Sequence, residues 1–289
     1  MRKPASRPRS AELIWRRFRL VVAAILAAAT CSAVAAPEDD RTAFIRHYQE
    51  RFPGVPLDNY VDGALMLSTD AKSQFDSIME FPPFQSDLDK GRALWETPFA
   101  NGRTYAGCFA DGGRNVAGDY PRFDAASGKV VTFEMALNDC RRRNGEKVFA
   151  YGDRATMGVL TAHARSLSDG MRMNIKVEGS DALAKYELGK RFYFTRIGQF
   201  NFACSSCHYA HAGQILRTEI ISPSTGQATH WPVFRAGDNL NTLHLRIRRC
   251  MEQVRAAPFP AGSEELNNLE YFLAYLSNGL PLRASVYRK

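Results

Sequence analysis

Cys204-Ser205-Ser206-Cys207-His208 is the stretch that decides how this chain is read. Two cysteines three positions apart, with a histidine directly after, form the C-x-x-C-H pattern that attaches a c-type haem. The spacing has a chemical reason. Two thiols add across the two vinyl groups of one porphyrin, and the next residue then sits under the iron as a neutral nitrogen ligand. A zinc site would need two more ligands at comparable spacing, and none is evident. A thioredoxin-like pair would follow a strand in a βαβ unit, whereas an aromatic, helix-like stretch precedes this one. Cys204 and Cys207 are therefore expected to bind one haem c covalently, with His208 as an axial iron ligand.

The N-terminus indicates where that haem is attached. Residues 2–19 carry seven basic residues and one acid, Glu12, followed by the apolar run Leu20–Ala29 and then Ala33-Val34-Ala35-Ala36. That is a basic segment, a short apolar segment and a small-residue cleavage site, so residues 1–36 are predicted to be a signal peptide cut after Ala35 or Ala36. No run reaches the ~18 apolar residues of a spanning helix. The neighbours of Arg16-Arg17 fit twin-arginine export poorly, and Thr30 before Cys31 is a poor lipoprotein cleavage residue. We expect a periplasmic protein with no membrane anchor, because covalent haem is normally added after export. Residues 1–36 hold a net +6 of the chain's +8. The mature chain is thus close to +2, and without a basic-aromatic stripe no nucleic-acid partner is expected.

Composition is globular, with 45% hydrophobic residues, ample for a core. The chain also repeats itself in order. Gly91-Arg92 lies before Cys108 as Gly189-Lys190-Arg191 lies before Cys207. Pro121-Arg122-Phe123 precedes Cys140 as Pro232-Val233-Phe234 precedes Cys250. Thr132 and Thr242 each stand eight residues before those last cysteines. Leu167-Ser168-Asp169-Gly170 matches Leu276-Ser277-Asn278-Gly279. The expected architecture is mainly α: two tandem cytochrome c-like domains near 81–176 and 177–289, the first lacking haem, after an N-terminal extension at 37–80.

Local signals are clearest at the C-terminal end. Ser263 can cap a helix, Glu264 and Glu265 suit its positive first turn, and Gly279 can end it. Leu266, Leu269, Phe272, Leu273 and Leu276 form one apolar stripe at helical spacing, read as core packing. Asp181 to Phe194 is the expected partner helix. The aromatics Phe192, Tyr193, Phe194, Phe200 and Phe202 are read as haem-pocket wall.

In the first half, Cys108 is followed by neither a second thiol nor a histidine, while Cys140 stands where Cys250 stands in the second. Two lone cysteines in an oxidising compartment most often pair, so a Cys108–Cys140 disulfide is expected. It closes a loop worth about 3 kcal/mol by chain entropy.

The distal side of the haem has several candidates. Met251 is the only methionine after the motif, and His211 follows His208 too closely to reach the opposite face. His230 and His244 remain possible, as does the last single thiol, Cys250. Arg246, Arg248 and Arg249 make the stretch before Cys250 cationic, which favours a thiolate and an anionic ligand. Ala136 holds the equivalent of Arg246 in the haem-free half. On a helix, Arg246 and Cys250 share a face. A solvated basic face with a buried cysteine accounts for the same spacing.

Two longer blocks carry a resemblance: Phe200-Asn201-Phe202-Ala203 leading into the haem motif, and Asn241-Thr242-Leu243-His244-Leu245-Arg246-Ile247-Arg248-Arg249-Cys250-Met251-Glu252. With Cys108-Phe109-Ala110-Asp111-Gly112-Gly113 and Val130 through Cys140, the chain resembles the SoxA family from about residue 80 to the end. Lacking a first C-x-x-C-H, it is similar to the one-haem members, in which a disulfide replaces the first haem. The resemblance implies an L-cysteine S-thiosulfotransferase that oxidatively joins thiosulfate to a cysteine of the SoxYZ carrier, passing two electrons to an electron-accepting cytochrome c. SoxX is the implied heterodimer partner. Cys250 would be distal iron ligand and persulfide-forming catalytic cysteine, and Arg246 would contact substrate. The alternatives are a plain electron-transfer cytochrome with His208 opposite His230 or His244, and a ligand sensor with an open site.

Overall fold

The computed structural model describes residues 36–235, 239–284 and 286–288. The signal peptide expected at 1–36 lies outside them, apart from Ala36. Helix α1 (Pro37–Arg51) is followed by a 3-10 segment at Leu57–Leu67, α2 (Thr69–Glu80) and α3 (Gln85–Glu96). The hairpin β1 (Arg122–Asp124) and β2 (Lys129–Val131) leads into α4 (Phe133–Arg143), and a π-type turn at Arg154–Gly158 opens α5 (Val159–Ser166). The second half begins with α6 (Gly179–Phe194) and the one-turn α7 (Cys204–His208), then the short strands β3 (Ile215–Leu216) and β4 (Glu219–Ile220). It continues through β5 (Val233–Arg235), β6 (Asn239–Asn241), α8 (Leu243–Gln253), α9 (Glu264–Tyr275) and β7 (Val286–Arg288). Helices dominate, as expected.

Each repeat mark has a structural job, and the two halves do it alike. Thr132 caps α4 by accepting from the Met135 N–H, and Thr242 caps α8 by accepting from Leu245. Phe123 pairs with Val130 in the first hairpin, and Phe234 with Leu240 in the second. Tyr120-Pro121 and Trp231-Pro232 are both cis. The second hairpin alone gains a third strand, β7, parallel to β5.

The glycines mark the helix crossings. α3 packs on α5 in the first half, and α6 on α9 in the second. A Cβ at Gly91 would lie 2.1 Å from the Val159 carbonyl oxygen, and one at Gly189 1.9 Å from that of Asn268. Only a residue without a side chain lets two backbones approach this closely. Ser263 caps α9 as expected, and its stripe of Leu266, Leu269, Phe272, Leu273 and Leu276 is fully buried.

Aromatic rings and a disulfide fill the first half. Trp95 stacks on Tyr105 at 5.5 Å, and Phe133 packs against Phe109 and Tyr120 at 5.8 and 5.2 Å. Beside them Cys108 and Cys140 are bonded, their Cα atoms 5.8 Å apart. The cross-link joins the turn equivalent to the haem motif to the helix equivalent to α8. Residues from Pro37 onward form one compact unit. Among the described residues, no helix is long and apolar enough to cross a membrane.

Candidate functional site

The haem motif forms α7, a single turn held at its start by the Ala203 N–H donating to Ser206 Oγ at 3.1 Å. Cys204, Cys207 and Cys250 are the free thiols of the described residues. Burial pushes the Cys204 thiol up to about 12, with the Cys250 sulfur and then Cys207 adding to it. Cys207 is raised by burial first and then by Cys250. α8 therefore brings Cys250 within electrostatic reach of both motif cysteines.

His208 is set up as a neutral ligand. Its Nδ1 lies 2.9 Å from the Ser222 carbonyl oxygen, with the Gln227 amide 2.7 Å from the same nitrogen. With the proton on Nδ1 and directed at that carbonyl, Nε2 keeps its lone pair for a metal. Burial holds the ring's pKa below the ordinary histidine value, and the Arg246 guanidinium lowers it further. The donor set fits a c-type haem: two unpaired thiols, a backed neutral imidazole, and apolar rings at the rim. Among the described residues, no group of three or more His, Cys, Asp or Glu is placed to hold a metal ion.

α8 sorts its arginines. Arg246 is the one whose charge is felt at His208, and it shares a face with Cys250. Arg249 points to solvent and pairs with Glu252 at 3.3 Å. The Arg248 Nε is buried without a hydrogen-bond partner among the described residues.

The expected aromatic wall divides. Tyr193 is in the core, and Phe192 packs edge-on against Phe259 at 5.6 Å. Phe194, Phe200 and Phe202 are exposed beside the motif, with Arg255 over the Phe200 ring at 4.8 Å.

The other distal candidates have their own places. His244 turns away from the motif: its Nδ1 accepts the Gly262 N–H at 2.9 Å, and its Nε2 lies 3.0 Å from Glu270. His211 binds the Ser206 carbonyl through Nδ1 at 2.7 Å. Met251 is buried in the main core, and His230 is buried beside Trp231.

Two contributions were missed from sequence. The first is Arg235 on β5. Burial pushes its pKa down, and the like charge of Arg246 adds to that, while Cys250 is near enough to act in the opposite sense. Its equivalent in the haem-free half is Asp124, so the comparison of halves that singled out Arg246 would have found it. The second is the N-terminal extension. Tyr48 donates to the His208 carbonyl at 2.6 Å, Arg51 donates to the Ala212 carbonyl at 2.6 Å, and His47 stacks on Tyr209 at 3.9 Å. Phe44, Tyr48 and Phe52 at helical spacing were the available signal.

A helix pair crossed at glycine and closed over a haem-attachment turn is the frame of a cytochrome c; this chain carries the helix pair twice and the attachment turn in its second half. The family description "SoxA/TsdA, cytochrome c domain" matches residues 90–173 and 188–282, one stretch in each half. The chain belongs to the SoxA family. It is 42% identical over 277 residues to the L-cysteine S-thiosulfotransferase subunit SoxA of Allochromatium vinosum, covering 93% of this chain and 98% of that one. It is 41% identical over 251 residues to the same subunit of Chlorobaculum tepidum, covering 86% and 87%. Among solved structures, it is similar to SoxXA from P. pantotrophus, with a TM-score of 0.66 and 29% identity over 72% of this chain and 79% of that one. The cytochrome c domain implies a haem c.

Proposed function

We propose that this chain is the catalytic haem subunit of an L-cysteine S-thiosulfotransferase. It would act with a SoxX subunit to join thiosulfate to a cysteine of a SoxYZ carrier. The observation that carries this reading is the convergence of Cys250 and Arg246, on one face of α8, upon the Cys204–His208 turn. The similarity to named thiosulfotransferase subunits over most of the chain supports it.

The reaction balances as carrier thiol plus thiosulfate giving a carrier S-thiosulfonate, one proton and two electrons. When bound, the haem takes up electrons one at a time, so an electron-accepting cytochrome c is needed downstream. Cys204 and Cys207 would hold one haem covalently, and His208 and Cys250 would ligate its iron. Arg246 offers a charge-assisted hydrogen bond to the sulfonate oxygens of a dianion and aims its outer sulfur at Cys250. Cys250 would take thiosulfate as a cysteine S-thiosulfonate, with loss of one proton and two electrons, and the carrier thiol would then displace it, receiving the S–SO3 group and returning Cys250 to its thiol. Half-buried His208, its Nδ1 directed at the Ser222 carbonyl, serves as a ligand.

Cys250→Ser is expected to retain haem and to abolish thiosulfate coupling with SoxX and SoxYZ. Arg246→Ala is expected to raise KM for thiosulfate about tenfold, as loss of a hydrogen bond to a charged group costs roughly 1.5–3 kcal/mol. Normal turnover by Cys250→Ser would leave the electron-carrier alternative standing. Intact mass of the exported protein checks the remaining expectations. One haem on a chain starting near Ala36 or Pro37 is expected, with the protein in the periplasm and residues near 81–176 and 177–289 as its two domains.

A further inference from the structure

The face of α8 opposite Arg246 meets a closed, polar interior shared by both halves. His244 is 1% exposed there. Its ring stacks on Tyr151 of the first half, centroids 5.0 Å apart and planes at 21°. Its Nδ1 accepts the Gly262 N–H, and its Nε2 faces the Glu270 carboxylate of α9. The Tyr151 hydroxyl continues the network to Thr132 Oγ1 at 2.7 Å and to Glu134 at 3.3 Å. Glu134 is the first-half equivalent of His244, two residues past the capping threonine. Arg165 of α5, also buried, lies within electrostatic reach of Glu134 and Glu270.

We infer that His244 is a positioning residue for Cys250 and Arg246, and that the haem-free half is the abutment against which the catalytic helix is registered. This rests on the reading of Cys250 given above. A buried imidazole whose Nδ1 accepts a backbone N–H, whose Nε2 lies 3.0 Å from a carboxylate without a hydrogen bond of good geometry, and whose face is stacked has few orientations open to it, whereas an apolar residue there would pack in several. From His244 to Cys250 is six residues, about 9 Å of rigid helix, so a slide or turn at one end is delivered to the other. The ring is held on its flat by a residue of the first half and on its edge by residues of the second. The two halves thereby set the distance of the α8 thiol from the motif together. This also gives the haem-free repeat a use: the disulfide and stacked rings make it a rigid support.

The test uses the oxidised holoprotein with its SoxX partner. It reads the low-spin electron paramagnetic resonance signature of sulfur ligation, thermal melting, and steady-state kinetics. His244→Phe keeps the stack on Tyr151 and loses the acceptor for Gly262. It is expected to broaden or split the sulfur-ligand signature. It should also lower kcat by up to about a hundredfold, since roughly 1 Å of misplacement at reacting atoms is that costly. KM for thiosulfate should rise less than in Arg246→Ala, because the anion's charge partner is displaced and not removed. His244→Gln keeps an acceptor for Gly262 but loses the ring stack, and is expected to fall between His244→Phe and the parent in both readouts. Tyr151→Leu removes the stack without touching α8 and is expected to split the signature too; it serves if His244→Phe fails to fold. A lower melting temperature with an unmoved signature and unmoved kcat would overturn the inference and leave packing alone. If the unsubstituted protein lacks a sulfur-ligand signature, the reading of Cys250 falls, and this inference with it.

Discussion

Tyr48 donates its phenolic hydrogen to the backbone carbonyl of His208 at 2.6 Å, across 160 residues of sequence. The Tyr48 phenolic oxygen in turn accepts the buried Ser224 N–H at 3.0 Å, two residues from the carbonyl that backs the His208 ring. One side chain of the N-terminal extension thus ties the haem turn to the loop that orients its histidine. Burial pushes the Tyr48 phenol up to about 12, so it remains a donor across the physiological range.

Tyr48→Phe removes that tie and leaves a buried N–H without its acceptor. The expected cost is about 1–3 kcal/mol of stability. Chemical denaturation of the holoprotein would measure it, and haem content per chain should fall with it.

Replacing Cys108 and Cys140 together by serine is expected to cost about 3 kcal/mol, mostly by freeing the unfolded chain. The motif is in the other half, so the haem spectrum of the folded fraction should be retained. A urea titration with and without reductant checks this, since reductant should no longer matter in the variant.

Gly189→Ala places a methyl 1.9 Å from the Asn268 carbonyl oxygen, backbone that cannot step aside. Overpacking of this kind costs about 1–3 kcal/mol or more. A lower melting temperature and poor haem incorporation are expected.

Glu134 is buried, and its pKa is raised first by that burial and then by the Glu270 carboxylate. Two carboxylates share one buried guanidinium, Arg165, so one of them favours the neutral form. A raised carboxyl pKa means the group's stabilising contribution is full below its ordinary value of 4.5 and is lost as pH rises through the folded value. Glu134→Gln, which mimics the protonated acid, should therefore melt like the parent at acid pH. It should melt increasingly above the parent as pH rises. Melting curves across pH test it, and parallel curves for the two proteins would refute it.

Much of this protein was legible because its decisive signals are local. The Cys204–His208 pattern names its own chemistry, and Cys108 with Cys140 were the unmatched thiols of the other repeat. Thr132, Thr242 and Ser263 cap helices through bonds spanning three residues, so the sequence shows them directly. Spacing alone also put Arg246 and Cys250 on one face. It left His244 open as an iron ligand, and only the structure turned that ring to Gly262 and Glu270.

What only the tertiary structure decided is which distant side chains meet. Nothing near Tyr48 announces His208, and nothing near Tyr151 announces His244. That Arg235 lies within electrostatic reach of Arg246 and Cys250 becomes visible only once the chain is folded. A repeat pattern specifies helices, caps and glycine crossings because those depend on neighbours in the chain. The orientation of a buried ring depends on partners brought from both halves by packing, and that information resides in the fold.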